Sequence, residues 1–193
     1  MRTLVLASTS PYRLQLLRQL GLPFQVAAPL FEERIDQEIA PDLLVRHLSL
    51  HKAKSLGERF PDALIIGADQ VFTDPRGKVL GKPGSAEAAV AQLREMAGRS
   101  HTFYTGVTVY DSLSREVLTD VVTFTVTLRR LSREQLARYV KRENPVDCAG
   151  SFKTEGLGIA LMERMDGSDY TALIGLPLIR LTAMLEQFGV EIL

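Results

Sequence analysis

Apolar and polar positions follow two rhythms along the chain, strand-like and helix-like, and the rhythm changes repeatedly. Thr3–Ala7 is a short Leu/Val run, the pattern of a buried strand. Residues 11–20 place Leu14, Leu17 and Leu20 at helical spacing and stop at Gly21, which suits a helix C-terminus. Phe24–Ala27 predicts a second strand, and residues 29–40, with Glu32, Glu33, Asp36 and Glu38, predict a loop. Pro41 then opens a helix expected to run to about Arg59. The strongest strand signal is ALIIGADQVF at 63–72, followed by a turn at Asp74-Pro75-Arg76-Gly77.

The second half alternates differently. An alanine-rich stretch at 85–97 predicts a helix capped by Gly84 or Ser85, and 102–110 with Val117–Leu128 predict a pair of antiparallel strands. Residues 131–142 predict a helix with Ser132 at its cap. Glycines at 150, 156 and 158 surround the apolar stretch 157–162, and a last helix is expected after Gly175-Leu176-Pro177, ending at Gly189. Parallel-type alternation followed by an antiparallel pair implies an α/β protein: a mixed sheet with flanking helices, arranged as two lobes around a cleft.

Composition narrows the function classes. Lys plus Arg (23) equals Asp plus Glu (23), so no net field favours nucleic acid or an anionic membrane, and an anionic ligand needs a local cluster. The single cysteine, Cys148, excludes an intramolecular disulfide. No apolar run nears the ~20 residues of a membrane span, and the one after Arg2 stops at Ala7, too short for a signal peptide. A soluble cytoplasmic protein without membrane or nucleic-acid partners is the expectation.

Chemistry concentrates in a few strings. In LVLASTSPYR, Ser10 before Pro11 reads as an N-cap followed by a first-turn proline. The same turn points helix-start amides outward, adds the Ser8 and Thr9 hydroxyls, and supplies the bidentate fork of Arg13, a set suited to phosphate. Asp69 interrupts an apolar strand directly after Gly67 and Ala68; it either caps the turn that follows or serves as a catalytic or metal-binding carboxylate. Lys52 and Lys54 lie on the second helix, while Lys82 in LGKPGS and Lys153 in GSFKTEG sit beside glycine-containing turns, where ligand contacts concentrate. His47 and His51 have metal-type spacing but lack an accompanying Glu and a third ligand, and Cys148 has no neighbouring His; neither carries a site.

The strings LASTSPYR, FEE around Glu33, HKA, GADQ, GKP, TFYTG, CAGSFKTEG and GLPL come in the order and spacing of the Maf family. The chain therefore resembles a nucleoside triphosphate pyrophosphatase, and the family resemblance implies an inosine triphosphatase-like fold in a single domain over residues 1–193. Gln70 after Asp69 and the string SFKTE resemble the 7-methyl-GTP pyrophosphatase subgroup; the dTTP/UTP subgroup carries Thr after that Asp and Gln where Glu155 stands. The resemblance implies Asp69 as proton acceptor, Ser8, Arg13, Lys52, Lys82 and Lys153 as substrate-binding groups, and Tyr12, Gln70 and Glu155 as determinants of base preference. It further implies Glu33 and Asp69 as ligands of Mg²⁺ or Mn²⁺, and a homodimer. Tyr12 departs from the Trp expected in similar sequences; it keeps an aromatic face for a cationic base. Two alternatives stay open: a dTTP/UTP pyrophosphatase of the same family, and a nucleotide-binding regulator of septum formation.

Overall fold

Three parallel strands form one side of the sheet; the two inner ones, β1 and β3, are apolar and covered, while the edge strand β2 is largely exposed. β1 (Thr3–Ala7) lies between β2 (Phe24–Ala27) and β3 (Ala63–Thr73), with Leu4 opposite both Phe24 and Leu64. Leu4 through Ala7 and Ala63 through Asp69 are buried without interruption, as expected of strands covered on both faces. The structure, a computed structural model, describes residues 2–31 and 39–193. Its six-stranded sheet continues through β4 (Ser100–Asp111) and β5 (Val117–Leu128) to β6 (Met162–Asp166), in the order β2-β1-β3-β4-β5-β6.

The expected antiparallel pairing of β4 and β5 is borne out by hydroxyl pairs: Ser100 with Thr127, Thr102 with Thr125 and Thr108 with Thr119 advance in opposite directions along the two strands. The polar strand β6, MERMD, was not apparent from apolar pattern; it pairs antiparallel to β5, with Val126 opposite Met165. Among the described residues six α-helices flank the sheet: α1 (Pro11–Arg18), α2 (Pro41–Lys54), α3 (Ala86–Met96), α4 (Arg133–Glu143), α5 (Tyr170–Ile174) and α6 (Leu178–Gln187). Helix α2 ends sooner than its sequence suggests. Bonds from the amides of Leu56 and Gly57 to the carbonyls of Ala53 and Lys54 tighten the chain into turns there.

The chain divides into two compact units, residues 1–70, 104–123 and 169–193, and residues 71–103 and 124–168. The first is built on an aliphatic cluster that includes Leu6, Leu17, Ile66, Val107, Leu181 and Leu185. The second holds Phe72, Phe103 and Phe152 in mutual tilted and edge-on contact, with ring centroids 4.2–5.9 Å apart.

Within the first unit, two glycines set how closely α2 approaches the sheet. A Cβ on Gly67 of β3 would lie 2.2 Å from the Ser49 carbonyl oxygen, and one on Gly106 of β4 would lie 2.2 Å from that of Val45. The missing side chains let α2 settle onto the strands, and the Ser49 hydroxyl reaches Thr108 at 3.0 Å. Gly67→Ala is therefore expected to destabilise the protein by at least the ~1–3 kcal/mol typical of an overpacked site, seen as a lowered urea midpoint. A substitution without effect would mean that the helix can lift at no cost.

At the far end of the same unit, Arg2 makes a two-pronged ion pair with Asp111, both contacts at 2.5 Å. The Asp111 carboxylate also accepts from the amides of Leu113 and Ser114 in the turn after β4. The guanidinium, the largest influence, holds the Asp111 carboxyl well below the usual carboxylate range. Because the folded value is depressed, this stabilisation is complete above the unfolded carboxylate pKa of about 4 and is lost progressively below it. The stability difference between wild type and Arg2→Gln, measured by denaturant unfolding, is expected to be full at neutral pH and to shrink as pH falls below about 4. A difference that grows on acidification would contradict this.

Candidate active site

The close approach of α2 to β3 determines what faces what. Gly67 and Asp69 are two residues apart on β3 and so share a face, and Lys52 follows Ser49 by one helical turn on α2. The Lys52 ammonium donates to the Asp69 carboxylate, and both residues are about 95% buried. Such a pair is retained against a desolvation penalty of several kcal/mol per ion. The turn-cap alternative for Asp69 gives way to this role, because the turn at 74–77 is capped by Asp74, whose carboxylate accepts from the amides of Arg76 and Lys78.

Beside that pair lies the floor formed by the end of β1 and the start of α1. Ser10 is the N-cap of α1, its hydroxyl accepting from the Arg13 amide at 3.4 Å, with Pro11 in the first turn, as its sequence predicts. Ser8 is buried and its hydroxyl accepts from the Ser10 amide at 3.1 Å. The amides of Thr9 and Tyr12 have no hydrogen-bond partner among the described residues, leaving donors at the positive end of the helix. A concavity of about 150 Å³ is lined by Ser8, Thr9, Ser10, Arg13, Pro29 and Lys52. Arg13 is anchored into this wall by its Nε, which donates to the Gly175 carbonyl at 2.9 Å.

Gln70 faces a different direction from a free reading group. Its Nε2 donates to the Ala172 carbonyl at 2.6 Å, to that of Leu173 at 3.2 Å and to the Thr105 hydroxyl at 2.9 Å. The amide nitrogen is thus occupied in holding α5, and the Oε1 is what remains for a ligand. Tyr12, on the first turn of α1, is 41% exposed. Glu33 and the rest of the acidic run 32–38 lie outside the described residues.

Lys82, Lys153 and Glu155 belong to the second unit. In the same unit, burial pushes the Cys148 thiol up, the charges of Lys153 and Lys82 oppose the shift, and those of Glu155 and Asp147 reinforce it. Lys82 is exposed, the Lys153 ammonium donates to the Glu143 carbonyl at the end of α4 at 3.3 Å, and Glu155 is exposed next to Thr154. Among the described residues no three His, Cys, Asp or Glu side chains converge as a metal cluster, and no helix is long and apolar enough to cross a membrane. The His47 and His51 rings lie tilted against each other with centroids 4.2 Å apart, and Phe31 stacks on His51 at 5.2 Å, an aromatic cluster rather than a ligand pair.

A family model described as Maf-like protein matches residues 3–188. The chain belongs to the Maf family. Curated relatives agree with that membership across the whole length. A protein of Syntrophotalea carbinolica named 7-methyl-GTP pyrophosphatase is 65% identical over 193 residues, covering 100% of this chain and 98% of the relative. One of the same name from Pseudomonas aeruginosa is 48% identical, covering 100% of both chains. Among solved structures, a HAM1 protein from Coxiella burnetii gives a TM-score of 0.49 at 14% identity, covering 68% of this chain and 75% of that one.

Two groups of this Maf protein received no role from its motif strings: Thr105, within TFYTG, which shares the Ala172 carbonyl with Gln70, and Asp169, which caps α5. The second had a local signal, an Asp two residues ahead of a Thr before the apolar TALI.

Removing one partner of the Lys52–Asp69 pair should leave a buried charge. Lys52→Met is expected to cost about 3–5 kcal/mol in urea unfolding, and Lys52→Met combined with Asp69→Asn to recover a large part of that. A double variant no more stable than the single one would show that the two charges do not depend on each other.

Proposed function

We propose that this Maf protein is a nucleoside triphosphate pyrophosphatase whose substrate is 7-methyl-GTP, hydrolysed to the monophosphate and pyrophosphate. The observation that carries the reading is the meeting, in one unit, of a buried Lys52–Asp69 pair and an anion floor built from Ser8, Ser10 and Arg13. The names of the relatives at 65% and 48% identity support the choice of substrate. The whole chain is taken as one working domain of this kind.

The residues divide the work by their chemistry. The open amides of Thr9 and Tyr12, the Ser8 hydroxyl, the Arg13 guanidinium and the Lys52 ammonium neutralise phosphate oxygens and charge that develops on the leaving pyrophosphate. Asp69 accepts a proton from the attacking water. The new P–O bond forms at the α-phosphorus, the α–β bridging bond breaks, and its electron pair leaves on pyrophosphate. Lys82 and Lys153 serve as further substrate cations. Tyr12 stacks on the cationic methylated base, Gln70 offers its Oε1, and Glu155 accepts from the base edge and offsets its charge.

A divalent cation fits this donor set. Asp69 supplies hard oxygen, and in the absence of a three-residue cluster among the described residues the remaining ligands would be Glu33, water and the phosphates themselves, the manner in which Mg²⁺ is usually held. When bound, Mg²⁺ or Mn²⁺ neutralises phosphate charge and polarises the reacting phosphoryl group.

The test is a nucleotide panel with pyrophosphate detection. Wild type with Mg²⁺ or Mn²⁺ should give a higher kcat/KM for 7-methyl-GTP than for GTP, dTTP or UTP, and EDTA should abolish turnover. Asp69→Asn should reduce kcat by at least the ~10²–10⁴-fold typical of a lost general base, with the protein still folded. Preference for dTTP or UTP would replace the substrate assignment, and an Asp69→Asn enzyme above about a tenth of wild-type rate would remove Asp69 as the base.

A further inference from the structure

Asp169 is buried to 97% and no Lys, Arg or His pairs with it among the described residues. A carboxylate in that position costs free energy unless hydrogen bonds satisfy it. Here both oxygens are used. Oδ1 accepts from the Thr171 amide at 2.9 Å and from the Thr171 hydroxyl at 2.5 Å, and Oδ2 accepts from the Ile179 amide at 2.8 Å. The Thr171 hydroxyl oxygen in turn accepts from the Leu178 amide at 2.8 Å.

One carboxylate and one hydroxyl therefore satisfy the starts of two helices. Asp169 is the N-cap of α5, while the N-cap of α6 is Pro177, which makes no side-chain cap hydrogen bond. The amides of Leu178 and Ile179 take their acceptors from Thr171 and Asp169 instead. A neutral Ser or Asn suffices for an ordinary helix cap. Two acceptor oxygens at this length are needed only where two helix starts are tied together, and an Asn would turn an NH₂ toward one of the three donors.

What this clamp holds is the turn Gly175-Leu176-Pro177 between the helices. Gly175 has a φ of +126° and donates its own amide to the Thr171 carbonyl, while its carbonyl accepts the Arg13 Nε at 2.9 Å. Gln70 and Thr105 fasten the other side of the same segment through the carbonyls of Ala172 and Leu173. The plane of the Arg13 guanidinium is thereby referred, through one carbonyl, to a segment that Asp169 fixes.

We infer that Asp169 is a positioning residue for the reaction: by clamping the α5–α6 turn it orients Arg13 toward the substrate phosphates. This rests on the phosphate-binding reading of Arg13. It makes Asp169 act through another residue, without touching substrate.

A double-mutant cycle with 7-methyl-GTP as probe separates the possibilities. Asp169→Asn and Thr171→Val each loosen the clamp, the second more gently should the first fail to fold. Each is expected to raise KM, with kcat/KM falling about ten- to a hundred-fold and kcat changing by less than the KM does. Introduced into Arg13→Ala, the same substitutions should cost little further, because the guanidinium they orient is gone. Thr171→Ser, which keeps the hydroxyl, should restore wild-type KM. Losses that multiply independently of Arg13, or a fall in kcat at unchanged KM, would overturn the proposal. An Arg13→Ala enzyme with wild-type KM would instead overturn the phosphate reading of Arg13 on which it rests.

Discussion

The ion pair between Lys52 and Asp69 is the constraint to which the surrounding structure answers. Two opposite charges have been taken out of water between a helix and a strand, and each offsets the desolvation of the other. Their meeting needs a helix pressed onto the sheet more closely than side chains allow, and Gly67 and Gly106 remove the two Cβ atoms that would prevent it. The apolar run of β3 drives the burial, the glycines set the distance, and the pair sits at the edge of a concavity where serine hydroxyls, open amides and Arg13 converge.

Seen this way, the site is held from three sides by ordinary secondary-structure devices. The N-cap of α1 presents donors, α2 delivers the lysine, and the turn between α5 and α6 grips Arg13. None of these contacts is unusual alone. Their function arises because polar groups that must be satisfied in the folded chain, such as Asp169 and Gln70, are satisfied by the same backbone segment. A group placed like this is rigid before any ligand arrives, so less ordering would remain to be done on binding.

Much of the sheet was legible because its strands are short apolar runs or alternate apolar with polar residues. Thr3–Ala7, Phe24–Ala27 and Val117–Leu128 fall where the pattern puts them, and Ser10, Ser85 and Ser132 cap the helices their sequence marks. β6 was not legible, since MERMD is polar and is a strand only through its pairing with β5. Helix α5 spans five residues, too few for helical periodicity to register. The candidate residues were legible as types, and Ser8, Arg13, Lys52 and Asp69 gather in one unit. Their partners were not, because nothing local in GADQ says that Gln70 will bind carbonyls a hundred residues away. Glu33 lies outside the described residues.

The buried pair is proposed to belong to the substrate site and to be more than a structural staple. The most direct measurement is calorimetric binding of a non-hydrolysable α,β-methylene analogue of 7-methyl-GTP, with Mg²⁺ present. It compares wild type with the variant carrying both Lys52→Met and Asp69→Asn, in which neither charge is left alone. Wild type is expected to bind and the folded double variant to bind at least about ten-fold more weakly, as befits the loss of a charged contact to phosphate. Equal affinity in the two proteins would contradict it and leave the pair as a structural feature only.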